Sequence, residues 1–182
     1  MILYHFTHPG TVLRIAKEGL KPVARPDNAF MTGGVPVVWL TRQPSNIVTA
    51  ADVAHMQTHD CVDRNEGDLI FGGNARLTVE LQPQKRLVRY RDFLKANGGD
   101  MVALGTILTP TALTQWYVYL GVIRARRIDT SMPVEVALEC FDHHIATHPD
   151  PEARERYRAA RAQIAQLPDG VWVNINLKDC AA

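Results

Sequence analysis

The chain has 182 residues, 46% of them apolar and 21% charged, with a net charge of +1. That length suits one domain whose core needs no disulfide or metal, and the near-zero charge removes any global electrostatic case for nucleic acid or a membrane surface. Cys61, Cys140 and Cys180 are widely spaced, with no Cys-x-x-Cys pair, which reads as free thiols in a reducing compartment. No early apolar run is long enough for a signal peptide, and none reaches the ~18 residues of a membrane helix. The expected location is therefore the cytoplasm.

Residues 2–7, rich in β-formers and bounded by Pro9-Gly10, predict a strand. Thr11 to Glu18 predicts a helix with Val12, Ile15, Ala16 and Leu20 on one face, and Gly19 is placed for a left-handed C-cap. A Pro-, Asn- and Gly-rich loop over 21–34 leads to a buried strand from Val35 to Thr41, with Pro36 near its start, where proline is tolerated. Val48 to His55 predicts a short helix and Cys61 to Gly73 a loop. From Asn74 to Leu81 the pattern alternates: Leu77, Val79 and Leu81 face one way, and Arg76, Thr78 and Glu80 the other. Leu87 to Tyr90 extends the sheet, and Tyr90 to Ala96 forms a short helix closed by Asn97-Gly98-Gly99.

Thr109 to Thr114 begins a turn or short helix. Gln115 to Ile123 is a strong strand, with Trp116, Val118 and Leu120 read as its core face and Gln115, Tyr117 and Tyr119 as the other. Residues 133–148 predict a helix with Val134, Ala137, Leu138, Phe141 and Ile145 inward, broken by Pro149 and Pro151. Glu152 to Leu167 is an Arg- and Ala-rich helix, and Val171 to Leu177 a last strand. Without regular β-α alternation, the expected class is α+β. The expected architecture is a split, strongly bent mixed sheet of about six strands flanked by helices. It forms one domain over 1–182, divided as a core over 1–130, a helical addition over 131–170 and a final strand over 171–177.

Three segments in order carry a family likeness: Tyr4-His5-Phe6-Thr7 with its helix and Gly19-Leu20, Val37-Val38-Trp39-Leu40-Thr41, and Gln115-Trp116-Tyr117-Val118-Tyr119-Leu120 followed by Val122-Ile123 and Ile128. Together they resemble the ADP-ribosyltransferase fold. The likeness is to its histidine-first branch, which includes RNA 2′-phosphotransferases, DNA-modifying toxins and poly-ADP-ribose polymerases. The resemblance implies NAD as cofactor and a macromolecular acceptor, nucleic acid or protein. It implies that His5 donates to a ribose hydroxyl while the main chain of Phe6 and Thr7 holds the nicotinamide amide. Trp39 would stack on the nicotinamide, Thr41 would support the ribose, and Tyr117 would line the cofactor site. A carboxylate usually offsets the positive charge of the oxocarbenium-like transition state. Here the matched position is Gln115, or Trp116, and neither is acidic. Glu80, Asp100 and Glu135 are candidates to supply the charge. The phosphotransferase branch works instead with basic residues, a part open to Arg76, Arg124, Arg126 and Arg127. Arg76 is the preferred choice because it lies on the polar face of its strand. The Ala- and Arg-rich tail fits a GC-rich bacterial or phage coding sequence.

Two further readings compete. One is a catalytically silent module on the same fold that binds a nucleotide, a nucleic acid or a protein. The other is a metal-dependent enzyme: His55 and His59, and His144 and His148 with adjacent His143, stand at the i, i+4 spacing that zinc sites use, with Cys61 two residues past His59. The plainer reading is of exposed histidines near helix ends. Arg154, Arg158 and Arg161 share a helix face that is ordinarily solvated and paired, as by Glu155 to Arg158.

Overall fold

Alternation of apolar residues along three segments builds the sheet, and the computed structural model describes residues 1–23, 32–44, 75–97 and 114–175. The expectations for Val48 to His55, Cys61 to Gly73, Asp100, Cys180, and the His55, His59 and Cys61 group lie outside the described residues, as does that for Thr109 to Thr114 except Thr114 itself. Strand β1 is Ile2–Thr7, β2 Val38–Thr41, β3 Ala75–Glu80, β4 Leu87–Arg89, β5 Trp116–Tyr119 and β6 Ile128–Asp129. They form one sheet in the order β4-β5-β2-β1-β3-β6. Every pairing in it is antiparallel. The fold is α+β as expected, but the sheet is antiparallel rather than mixed. A second sheet pairs β7 (Ser131–Pro133) with β8 (Trp172–Asn174). The last strand therefore joins the helical addition, not the main sheet.

Four α-helices complete the described fold: α1 (Val12–Glu18), α2 (Tyr90–Ala96), α3 (Val134–Thr147) and α4 (Pro151–Ile164). Pro151 stands at the start of α4, where its missing N–H costs nothing, and the Asp150 carboxylate accepts from the Glu152 N–H at 3.0 Å. A short 3-10 turn, Pro9–Thr11, feeds α1. At the other end of α1, Gly19 has φ 83° and ψ 178°, so it takes a positive φ without the left-handed helical cap expected of it. A Cβ there would meet the Ile123 carbonyl at 2.2 Å. That close approach lets Leu20 and Ile123 exchange main-chain bonds of 2.9 Å each way.

Both faces of the sheet are covered. On one, Leu3, Leu40, Leu77, Val79, Tyr117 and Tyr119 pack with α1 and α3 residues such as Val12, Ile15, Ala137 and Phe141. On the other, Val118 packs with Val37 and with Tyr90, Phe93 and Leu94 of α2, and Trp39 and Trp116 lie against them partly buried. The expectation of one core face for β5 is thereby corrected: Tyr117 and Tyr119 are buried in the larger cluster, Val118 in the smaller. Full burial of a side chain such as Leu3 or Leu77 contributes roughly 1.5–3 kcal/mol, so both layers hold the sheet. With both faces covered, an opening remains where two neighbouring strands part.

Candidate functional site

Such an opening lies between β1 and β2. β1 runs beside β3 along its whole length, from Ile2 opposite Glu80 to Thr7 opposite Ala75. Against β2 its only register pair is Tyr4 with Thr41. The strands part beyond Tyr4, and the edge of β1 that faces β2 keeps main-chain groups outside the ladder. A cavity of about 930 Å³ occupies this split and continues along α1 to Lys21, Pro22 and Val23. Its size is at the upper end of ordinary small-molecule sites, roughly 300–1,000 Å³.

His5 bridges the split. Its Nδ1 lies 2.9 Å from the Trp39 carbonyl. A carbonyl can only accept, so Nδ1 carries the proton and Nε2 is left as an acceptor in the neutral ring. Burial pushes the imidazole below its ordinary range, outweighing the opposite pull of the Trp39 carbonyl. The ring is thus held neutral at physiological pH. Thr11 donates its hydroxyl proton to the His8 carbonyl at 2.9 Å, so Thr7, 2.6 Å away, is the donor to Thr11. Thr7 then has only lone pairs to offer the cleft. Thr41 accepts from the Gln43 N–H at 3.1 Å, which ties its hydroxyl to the turn after β2.

Of the residues singled out from the sequence, His5, Phe6, Thr7, Trp39 and Thr41 line the cleft together. The Trp39 indole itself is edge-on to Tyr90 at 4.9 Å and to Trp116 at 5.6 Å, so its ring belongs to the smaller core layer. Arg76, Gln115 and Tyr117 are not brought to the cleft. Tyr117 is buried in the larger core, with the Arg42 guanidinium 5.2 Å from its ring centre. Gln115 sits at the end of β5, its carbonyl accepting from Arg42 N at 3.0 Å. Arg76 lies over the Trp172 ring at 4.2 Å and the Tyr4 ring at 5.3 Å, and donates to the Pro44 carbonyl at 2.9 Å. Glu80 is exposed at the far end of β3, and Glu135 accepts from the Gly170 N–H. Arg124, Arg126 and Arg127 also lie off the cleft lining.

Sequence reasoning missed the α1 wall. Arg14 and Glu18 line the cleft beside Thr11 and Ile15. Glu18 is the only carboxylate among the described lining residues. It pairs with Lys21 at 2.7 Å, and this bond, with the lysine charge, holds it below the usual carboxylate range. The available signal was helical spacing from Thr7 and Thr11, but a charged residue on the polar face of a short helix ordinarily reads as solvated. Of the other described histidines, His8 also lines the cleft, and His144 and His148 lie off its lining. His144 packs 5.5 Å from the Tyr157 ring, and His148 at 5.6 Å from the same ring. Among the described residues, no group of three or more His, Cys, Asp or Glu is arranged to hold a metal ion. Burial pushes the Cys140 thiol up to about 12, which rules it out as a neutral-pH nucleophile.

Comparison with protein-family models, with curated proteins and with solved structures returns no match. Among the described residues, no helix is long and apolar enough to cross a membrane.

Proposed function

We propose that the protein is an NAD-dependent, ADP-ribosyltransferase-like enzyme that passes ADP-ribose to a macromolecular acceptor, a nucleic acid or a protein. The observation that carries this reading is the neutral His5 imidazole, fixed by the Trp39 carbonyl at the point where β1 and β2 part. Its Nε2 would accept from a ribose hydroxyl, the reverse of the donor role that the family likeness implies. The unladdered edge of β1 beyond Tyr4 would supply donors and acceptors for the nicotinamide amide, and Thr7 would accept from a second hydroxyl. Stacking on the nicotinamide would fall to Phe6, which lines the cleft, because the Trp39 ring is engaged with Tyr90 and Trp116. Positive charge developing at the ribose carbon would be offset by a carboxylate; Glu18, the one carboxylate among the described lining residues, stands on the α1 wall and is paired with Lys21.

The second reading, a silent nucleotide-, nucleic-acid- or protein-binding module, draws support from the commitment of Glu18 to Lys21. A calorimetric titration with NAD, followed by mass spectrometry for free nicotinamide, separates the two. Binding with release is the expected result. Binding without release selects the silent module, and no binding at millimolar NAD removes the cofactor from both.

A further inference from the structure

The cleft has a polarity that the two histidines set between them. His5 offers an acceptor, as above. His8 is three residues on and also lines the cleft. Its Nδ1 accepts from the Gly10 N–H at 3.1 Å, so in the neutral ring the proton sits on Nε2, which is a donor. The Gly10 N–H therefore fixes for His8 the tautomer opposite to that of His5. Beyond His8 the wall continues as α1, where Arg14 lines the cleft. Among the described residues, Arg14 makes no hydrogen bond and no ion pair closer than 4 Å. Its charge acts on the Glu18 carboxylate four residues on, which hydrogen-bonds Lys21 rather than Arg14. Acceptors thus stand at the strand split, while a donor and a guanidinium that hydrogen-bonds no described residue stand along the helix.

A ligand matched to that order has hydroxyls that donate at one end and anionic oxygens that accept at the other. Two adjacent phosphates suit it best, because guanidinium and imidazole N–H donors each form charge-assisted bonds to phosphate oxygen. The geometry points to a diphosphate subsite formed by Arg14 and His8, so that the cleft selects a nucleoside diphosphate moiety. This rests on the NAD reading for its occupant but not for its chemistry. It also moves the basic-residue part that the family likeness opened to Arg76, whose guanidinium is stacked on Trp172, to a residue on the opposite side of β1.

The test uses ADP and nicotinamide riboside as separate calorimetric probes of the full-length protein, its Arg14→Gln and His8→Ala variants, with NAD in parallel. Arg14 is exposed, so its variant is expected to keep the wild-type melting curve. Arg14→Gln should weaken ADP by roughly ten- to a hundredfold, the usual range for a charge-assisted bond, and leave nicotinamide riboside unchanged. His8→Ala should weaken ADP several-fold (~5-fold). Equal ADP affinity in wild type and Arg14→Gln overturns the subsite, as does wild-type protein that fails to bind ADP at millimolar concentration. If ADP binds through Arg14 while NAD does not bind, the subsite stands and the NAD reading falls. If NAD binds and is cleaved with no dependence on Arg14, the NAD reading stands and the subsite falls.

Discussion

Arg14 and Arg76 sit on opposite sides of β1 and illustrate how packing decides what a charge can do. Around Arg76, the ring of Trp172 from β8, the ring of Tyr4 and the Pro44 carbonyl close on the guanidinium, and its Nε is buried without a described partner. The charge there clamps the end of the helical addition onto the main sheet. Around Arg14, a seven-residue helix buries Val12, Leu13 and Ile15 and turns the arginine to the cleft. A strand arginine opposite aromatic rings becomes structure, whereas a helix arginine beside a strand split remains available to a ligand.

The strongest way to break this contrast is at His5. His5→Ala should abolish NAD binding in a protein that still unfolds cooperatively in urea. A folded variant of unchanged affinity would remove the split from the functional account. Next comes Arg76→Ala, expected to lower stability by about 1–3 kcal/mol through lost stacking and packing, while ADP affinity in the folded protein stays as in wild type. Weakened ADP binding without loss of stability would reverse the roles assigned to the two arginines.

A pH titration sharpens the boundary between cleft and helical addition. Burial, followed by the charges of His143 and His148, pushes His144 down to about 4 from an ordinary 6.5, and its Nε2 is buried without a described partner. Above about pH 6.5 the ring is neutral folded or unfolded and adds no pH dependence. Between pH 6.5 and 4 the unfolded chain takes the proton first, so stability should fall as pH drops through that window and level off below it. The urea midpoint of wild type should fall relative to that of His144→Gln as pH drops through that window. Parallel curves would mean that the ring is not buried neutral. The smallest effect is expected from Gln115→Glu: because Gln115 lies off the cleft, nicotinamide release should stay within about twofold. A large gain would return that position to the site.

The strands were legible where one periodicity dominated. Leu77, Val79 and Leu81 alternate with polar residues, and β3 follows from that alone. The opening β1 was also legible; the grouping of His5, Phe6, Thr7, Trp39 and Thr41 came from the family likeness, and all five belong to two short strand segments. Pairing was not legible. Whether β8 joins β3 or β7 depends on contacts between distant residues, and no local pattern carries that information. The two-sided burial of β5 was hidden for a related reason: α2 covers the second face, and nothing in Trp116 to Tyr119 says which helix will lie there. Arg14 was missed because the polar face of α1 becomes a cleft wall only once β1 and β2 separate.

The contact between Gly10 and α3 has a consequence for motion. The His143 ring lies where a Gly10 side chain would be, within 2.5 Å of a Cβ built there, and edge-on to the His8 ring at 5.7 Å. Close-packed parts cannot shift independently. A ligand that settles the 3-10 turn after β1 must also quiet α3 around His143, in a helix that it never touches. Amide hydrogen exchange should therefore slow around His143 when the cleft fills, and the helical addition would report occupancy at a distance from the chemistry.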